Sequence, residues 1–135
     1  MSSTVIPSLR YQDAPKAVDW LKRAFGFEPI VVVDGEGGII EHAQLVHGAG
    51  MVMLGSVRPG EYDDLVTTTA QTGKPTAGFY VIVADVDGHA AQAETAGAEI
   101  LLPPQDQDYG GRVYTCRDFE GNVWSFGNYD PWSQG

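Results

Sequence analysis

The spacing of apolar residues changes twice in the first half of the chain, and each change marks an element. An extended segment over about 4–11 is followed by Ala14, Val18, Leu21 and Phe25, spaced three or four apart as one face of a helix requires. Asp13 stands where an N-cap belongs, and Gly26 where the helix must stop. Alternation then returns in "EPIVVV", which is followed by the turn "DGEGG". Two further strands, "IIEHAQLV" and "MVMLG", are joined through His47-Gly48-Ala49-Gly50. The predicted order is βαβββ.

After a segment rich in Thr, Gly and Pro (57–75), the same order recurs. "AGFYVIVAD" reads as strand, "VDGHAAQAETAG" as helix and "AEILL" as strand; the loop "PPQDQDYGG" then leads to "RVYTC" and "NVWSFG". The second half lies about 72 positions after the first, with one-residue adjustments. At that offset "FGFE" falls near "AGAE", Gly37-Gly38 near Gly110-Gly111, and "MVMLG" directly on "VWSFG". A repeat of this length must satisfy helix, turn and strand positions in order, so it constrains the fold more than any single motif. Module one is expected over 4–56, a linker over 57–75 and module two over 76–130, within a single domain spanning 1–135.

Composition narrows the partners. With 135 residues the chain can bury roughly two thirds of its unfolded surface, without disulfides or a structural metal. Nothing approaches the ~18 continuous apolar residues of a membrane span, and the N-terminal stretch lacks the basic and apolar regions of a secretory signal. A cytoplasmic location is expected, and the single cysteine, Cys116, fits a reducing compartment as a small core residue. Eighteen acidic against eight basic side chains give a net charge of −10. That charge repels a phosphate backbone and an anionic membrane surface, so neither nucleic acid nor membrane is an expected partner. Phosphate-binding glycine motifs, paired-cysteine zinc motifs and nucleophile elbows are all missing from the sequence.

The phrases "DAPKAVDWLKRAFGFE", "EHAQLVHGAGMVMLG", "YVIVADVDGHAAQAETAGAEILLPP" and "YGGRVYTCRDFEGNVWSFG", in paired βαβββ modules, carry a family resemblance. The chain resembles the vicinal oxygen chelate superfamily, which includes glyoxalase I, extradiol dioxygenases, fosfomycin-resistance proteins and bleomycin-resistance proteins. Within it the phrases look like the PhnB-like branch. The resemblance covers about residues 4–130 and implies an α+β fold, two tandem βαβββ modules forming a half-barrel cavity with helices outside. It also implies a homodimer. It does not fix an activity, because one fold hosts many chemistries.

Given that fold, strand alternation sorts side chains between the two faces. With Gly48-Ala49 as a two-residue turn, Val46 opposes Met51 and Gln44 opposes Met53. Ala43, Leu45, Val52 and Leu54 then lie under the helix, and His42, Gln44, Val46, Met51 and Met53 share the cavity side. By the repeat, Val113, Thr115, Arg117, Val123 and Ser125 face the cavity, whereas Tyr114, Cys116, Trp124 and Phe126 pack under the second helix. On the leading strands Ile6, Ser8, Gly78, Tyr80 and Ile82 point inward.

The resemblance implies that metal-using relatives take a ligand, usually His, from the first strand of each module and another, often Glu, from the last. Here those positions hold Ile6, Gly78, Met53 and Ser125, and their neighbours Pro7, Phe79, Leu54 and Phe126 are no better suited to a divalent ion. No metal and no other cofactor is expected. Ser125, the lone polar residue in "VWSF", replaces a carboxylate with a neutral hydroxyl.

The expected ligand-binding set is His42, Gln44, Met51, Met53, Tyr80, Thr115, Arg117 and Ser125, with His42 and Tyr80 the candidates for proton transfer. Arg117 either meets an anionic ligand group or clamps the adjoining turn at Asp118. His47 and His89 are expected at the surface, and Asp106, Asp108 and Tyr109 at the mouth of the cavity. Trp20 is expected to pack, and Trp132 to seal a dimer contact or cover an edge. Two functions fit. One is a metal-independent binder that sequesters a small, flat, cationic or aromatic compound, a drug or a metabolite. The other is a glyoxalase-like lyase or isomerase acting on a small metabolite, with or without a divalent metal.

Overall fold

A computed structural model describes residues 3–133. The chain divides into two compact units, one ending at Gly73 and the other beginning at Lys74. The first holds β1 (Ser8–Tyr11), α1 (Ala14–Phe25), β2 (Glu28–Asp34), β3 (Ile40–His47), β4 (Gly50–Ser56) and a single-turn helix α2 (Thr69–Thr72). Its counterpart holds β5 (Gly78–Ile82), α3 (Val86–Thr95), β6 (Glu99–Asp106), β7 (Arg112–Arg117) and β8 (Val123–Gly127). Their sheets are ordered β1-β4-β3-β2 and β5-β8-β7-β6. In each, the first strand pairs in parallel with the last, and the remaining pairs are antiparallel. The fold is α+β with two four-stranded sheets, and neither sheet closes into a barrel.

Local chemistry explains the boundaries of α1. The Asp13 carboxylate accepts from the Lys16 N–H at 3.2 Å, Pro15 sits in the first turn where no intrahelical donor is needed, and Gly26 ends the helix at φ 84°. The buried stripe is wider than the i, i+4 count anticipates. Ala14, Ala17, Trp20, Leu21, Ala24 and Phe25 are buried, while Val18 is half-buried at the margin. Trp20 packs edge-on to Phe25 with ring centroids 5.0 Å apart. The first strand is shorter than expected and begins at Ser8, so Ile6 precedes it.

The alternation holds on β1, β3, β4, β7 and β8, whereas β2 and β6, whose pairings carry register shifts, do not alternate in burial. Leu9, Tyr11, Ala43, Leu45, Val52 and Leu54 are buried on the α1 side of the first sheet, and Tyr114, Cys116, Trp124 and Phe126 on the α3 side of the second. The buried face of α3 is Val86, Ala90 and Ala93, whose small side chains admit the aromatic set of the sheet below. Gly37, Gly38, Gly110 and Gly111 all adopt positive φ, so the two halves repeat in backbone conformation as well as in order.

The segment 57–75 is more than a spacer, because it carries α2 and returns two side chains to the first sheet. Thr68 is buried; its hydroxyl caps α2 at the Gln71 N–H (3.2 Å) and accepts from the Gln12 amide (3.0 Å). Asp63 reaches Arg10, as described below.

The two histidines expected at the surface are half-buried instead. His47 packs edge-on against Phe27, and burial lowers its pKa below the usual histidine value. His89 lies over Phe126 with ring centroids 4.2 Å apart, and its Nδ1 is 2.6 Å from the Tyr114 hydroxyl. Helical spacing places a residue on a face; whether that face is covered depends on the sheet packed against it.

Cys116 is fully buried, and burial pushes its thiol pKa up to about 12. It should therefore resist iodoacetamide in the native protein at pH 8 and react completely in denaturant. Rapid native alkylation, read by mass spectrometry, would contradict this placement.

Candidate functional site

Each sheet keeps one face free of its own helix, and the sequence-predicted binding residues fall on those faces. In the first, Gln44 stands opposite Met53, Val46 opposite Met51, and Ser8 beside Met53. His42 pairs with Val33 of β2 and Gln44 with Val31. The Gln44 amide nitrogen lies 3.1 Å from His42 Nε2, so the two polar side chains engage each other. His42, Gln44, Met51 and Met53 are all half-buried.

The second sheet repeats this arrangement with different side chains. Thr115 stands opposite Ser125, and Tyr80 beside Ser125, the places held by Gln44, Met53 and Ser8 in the first. The Thr115 and Ser125 hydroxyls are 2.7 Å apart and share one hydrogen bond. The Tyr80 hydroxyl donates to the Tyr129 carbonyl at 2.6 Å, and burial, reinforced by Tyr109, raises its pKa. With its proton engaged, Tyr80 suits ligand contact better than proton transfer.

Arg117 does not clamp the turn at Asp118. Its guanidinium bonds Glu99 at 2.9 Å, across from it on β6, in an exposed pair of the kind that contributes little. The turn is held by Asp118 itself. That buried carboxylate accepts from the Glu120 N–H (2.9 Å), the Asn122 N–H (3.0 Å), the Asn122 amide (3.1 Å) and the Trp124 indole (3.0 Å). The segment read as the loop "PPQDQDYGG" is strand as far as Asp106, because β6 continues its pairing with β7 to that residue; Asp106 pairs with Arg112 (3.2 Å), and beyond it the Tyr109 ring meets Tyr129 edge-on at 5.3 Å. Trp132 is exposed.

Sequence reasoning missed a cluster at the far end of the first sheet's open face. Arg10 shares that face with Ser8, beside Gly55 of β4. The Arg10 Nε lies 3.2 Å from both oxygens of Asp63, and its guanidinium carbon lies 4.8 Å from the Tyr62 ring centroid. Arg58 approaches Gly55 as well. Carrying the alternation of β1 two residues past Ser8 would have placed Arg10; nothing local could have placed Arg58, Tyr62 and Asp63.

The parallel register also sharpens the metal question. The first-strand side chain beside Met53 is Ser8, and the one beside Ser125 is Tyr80, rather than Ile6 and Gly78. A thioether, two hydroxyls and a phenol do not make a donor set for a divalent catalytic ion. Among the described residues no group of three or more His, Cys, Asp or Glu side chains is placed to hold a metal.

Comparison with known proteins identifies this architecture. The model of the Glyoxalase/Bleomycin resistance protein/Dioxygenase superfamily matches residues 4–126. The chain belongs to that superfamily. TioX from Micromonospora sp. ML1 is similar in structure, with a TM-score of 0.72 and 36% identity over 96% of this chain and 100% of that one. The fosfomycin resistance protein FosX from Listeria monocytogenes shares the fold at a TM-score of 0.68 and 15% identity, covering 97% of this chain and 96% of its own. An uncharacterised protein of Mycobacterium bovis is 31% identical over 121 residues, 90% of this chain and 80% of that protein. Superfamily membership accounts for the paired modules.

Proposed function

We propose that this protein is a metal-independent small-molecule-binding member of the superfamily, holding a small, flat organic compound on the open face of a sheet, as a drug- or metabolite-sequestering protein does. The observation that carries the reading is the neutrality of the repeated positions. Ser8, Gln44 and Met53 in one module, and Tyr80, Thr115 and Ser125 in the other, supply hydroxyls, an amide and a thioether, with no ionised group among them. Such groups orient a ligand through hydrogen bonds and adaptable packing and generate no nucleophile. Residual similarity at the level of sequence phrases favours the PhnB-like branch.

A lyase or isomerase is the second reading, and one observation favours it. His42 on the first open face is a half-buried imidazole whose Nε2 accepts from the Gln44 amide at 3.1 Å, an arrangement that fixes the ring and leaves Nδ1 as the atom to exchange a proton. Two measurements decide between the readings. Purified protein should retain no stoichiometric divalent ion after dialysis; retention of one would sink the metal-free reading. Against a panel of aromatic ligands and small metabolites, wild type and His42→Ala should both bind without turnover. Turnover by wild type that His42→Ala loses, at unchanged affinity, would establish the enzyme instead.

A further inference from the structure

Gly55 and Gly127 correspond at the repeat offset, and each lies where its sheet's last strand runs close under other atoms. A methyl group on Gly127 would stand 2.9 Å from the Arg112 carbonyl oxygen and 2.8 Å from the Tyr80 hydroxyl. On Gly55 it would stand 2.9 Å from the Glu41 carbonyl oxygen, 3.3 Å from Arg10 Nη1 and 3.4 Å from Arg58 Nη1. The second module thus fills its glycine notch with a phenol, whereas the first brings two guanidinium groups to one point. The register of β3 and β4, carried one step past Ala43 and Leu54, sets His42 across from this glycine.

The charges at the notch do not cancel. Among the described residues Asp63 is the one carboxylate bonded to the two arginines: it accepts from the Nε of Arg10 at 3.2 Å and from the backbone N–H of Arg58 at 3.3 Å. Among the described residues the Arg58 guanidinium donates only to the Ser56 carbonyl oxygen, at 3.4 Å. A guanidinium carries five N–H donors, so both arginines keep unused donors. No buried side-chain nitrogen or oxygen lacks a partner among the described residues, so those unused donors are ones that solvent reaches. The chain's charge of −10 opposes an anion at long range. Beyond the Debye length of about 8 Å it is largely screened, while two guanidiniums in contact with a ligand are not.

We propose that the Gly55 notch is an oxyanion site, in which Arg58 and the outward donors of Arg10 hold the carboxylate or phosphate of a small organic ligand, with Asp63 as a competing internal carboxylate. The assignment rests on the small-molecule-binding reading and gives its ligand an anionic group, where net charge alone pointed to a cationic one. The planar, forked donors of arginine suit an oxyanion that can accept two parallel hydrogen bonds.

The test uses the full chain and four probes of similar size: benzoate, phenyl phosphate, benzamide and benzylamine, titrated while backbone amide NMR signals are followed. Benzoate or phenyl phosphate should bind saturably, shifting the amides of Gly55 and Arg58, and the preferred one of the two names the oxyanion. Arg58→Gln should weaken that binding about tenfold, the usual loss for a charged hydrogen bond. Asp63→Asn should strengthen it, because the amide preserves an acceptor for the Arg58 N–H and removes the competing charge. A role limited to tying the 57–65 segment to the sheet predicts weaker or unchanged binding in Asp63→Asn, and that outcome overturns the proposal, even if Arg58→Gln does not fold. Benzamide or benzylamine binding where neither anion does would overturn the site and leave the binding reading intact. Failure of all four probes would overturn both.

Discussion

Asp118→Ala is expected to destabilise the protein by about 3–5 kcal/mol, which lowers the midpoint of thermal unfolding by on the order of 10 °C. The magnitude follows from what the substitution strands. The Asp118 carboxylate is 4% exposed and accepts from two backbone N–H groups, the Asn122 amide and the Trp124 indole. Alanine leaves these donors facing a cavity, and an unsatisfied buried donor costs its full desolvation. Asp118→Asn keeps one acceptor oxygen and should recover part of the loss. Thermal unfolding followed by circular dichroism measures both variants; an Asp118→Ala loss below about 1 kcal/mol would mean the turn is held by something other than this carboxylate.

The second large effect lies on β8, where neighbouring residues should behave oppositely. Phe126 is fully buried, stacked on Tyr114 at 5.4 Å and on Trp124 at 6.3 Å, with the His89 ring 4.2 Å away. Phe126→Ala should cost about 3–5 kcal/mol, as lost transfer energy and a cavity that aromatic neighbours cannot collapse to fill. Ser125→Ala removes a hydroxyl shared only with Thr115 on the open face and should cost about 1 kcal/mol. Chemical denaturation of the pair gives the comparison directly. Similar losses at both positions would mean that the open face is as tightly packed as the helix-covered one.

The same alternation explains how much of this molecule could be read in advance. A strand has a period of two, so one correctly placed turn fixes every side chain on both strands that flank it. The Gly48-Ala49 turn did so for β3 and β4, giving the pairs Gln44 with Met53 and Val46 with Met51. The repeat then carried the pattern to Thr115 and Ser125. The helix cap at Asp13 and stop at Gly26 were legible because they are local chemistry.

Legibility ended where contacts join residues far apart in the chain. That Arg117 would pair with Glu99 rather than clamp the turn depended on the β6 register, which brings Glu99 opposite it. Whether His89 would be exposed depended on Phe126 and Tyr114 in the sheet beneath α3. Net charge sums over the whole surface, so composition could not show that Arg10 and Arg58 converge beside Gly55.

Taken alone, the sequence determined the βαβββ repeat, the helix-covered cores and the faces on which the residues of β3, β4, β7 and β8 lie, because periodicity, capping and turns act over a few residues. Tertiary structure decided which of those faces carries charge. Arg10 meets Asp63 only because a segment some fifty residues on returns to the sheet, and Arg10 and Arg58 converge with the Glu41 carbonyl over Gly55 only because that position has no side chain to exclude them. Such convergence arises from strand order and loop return, to which no local pattern in the chain corresponds.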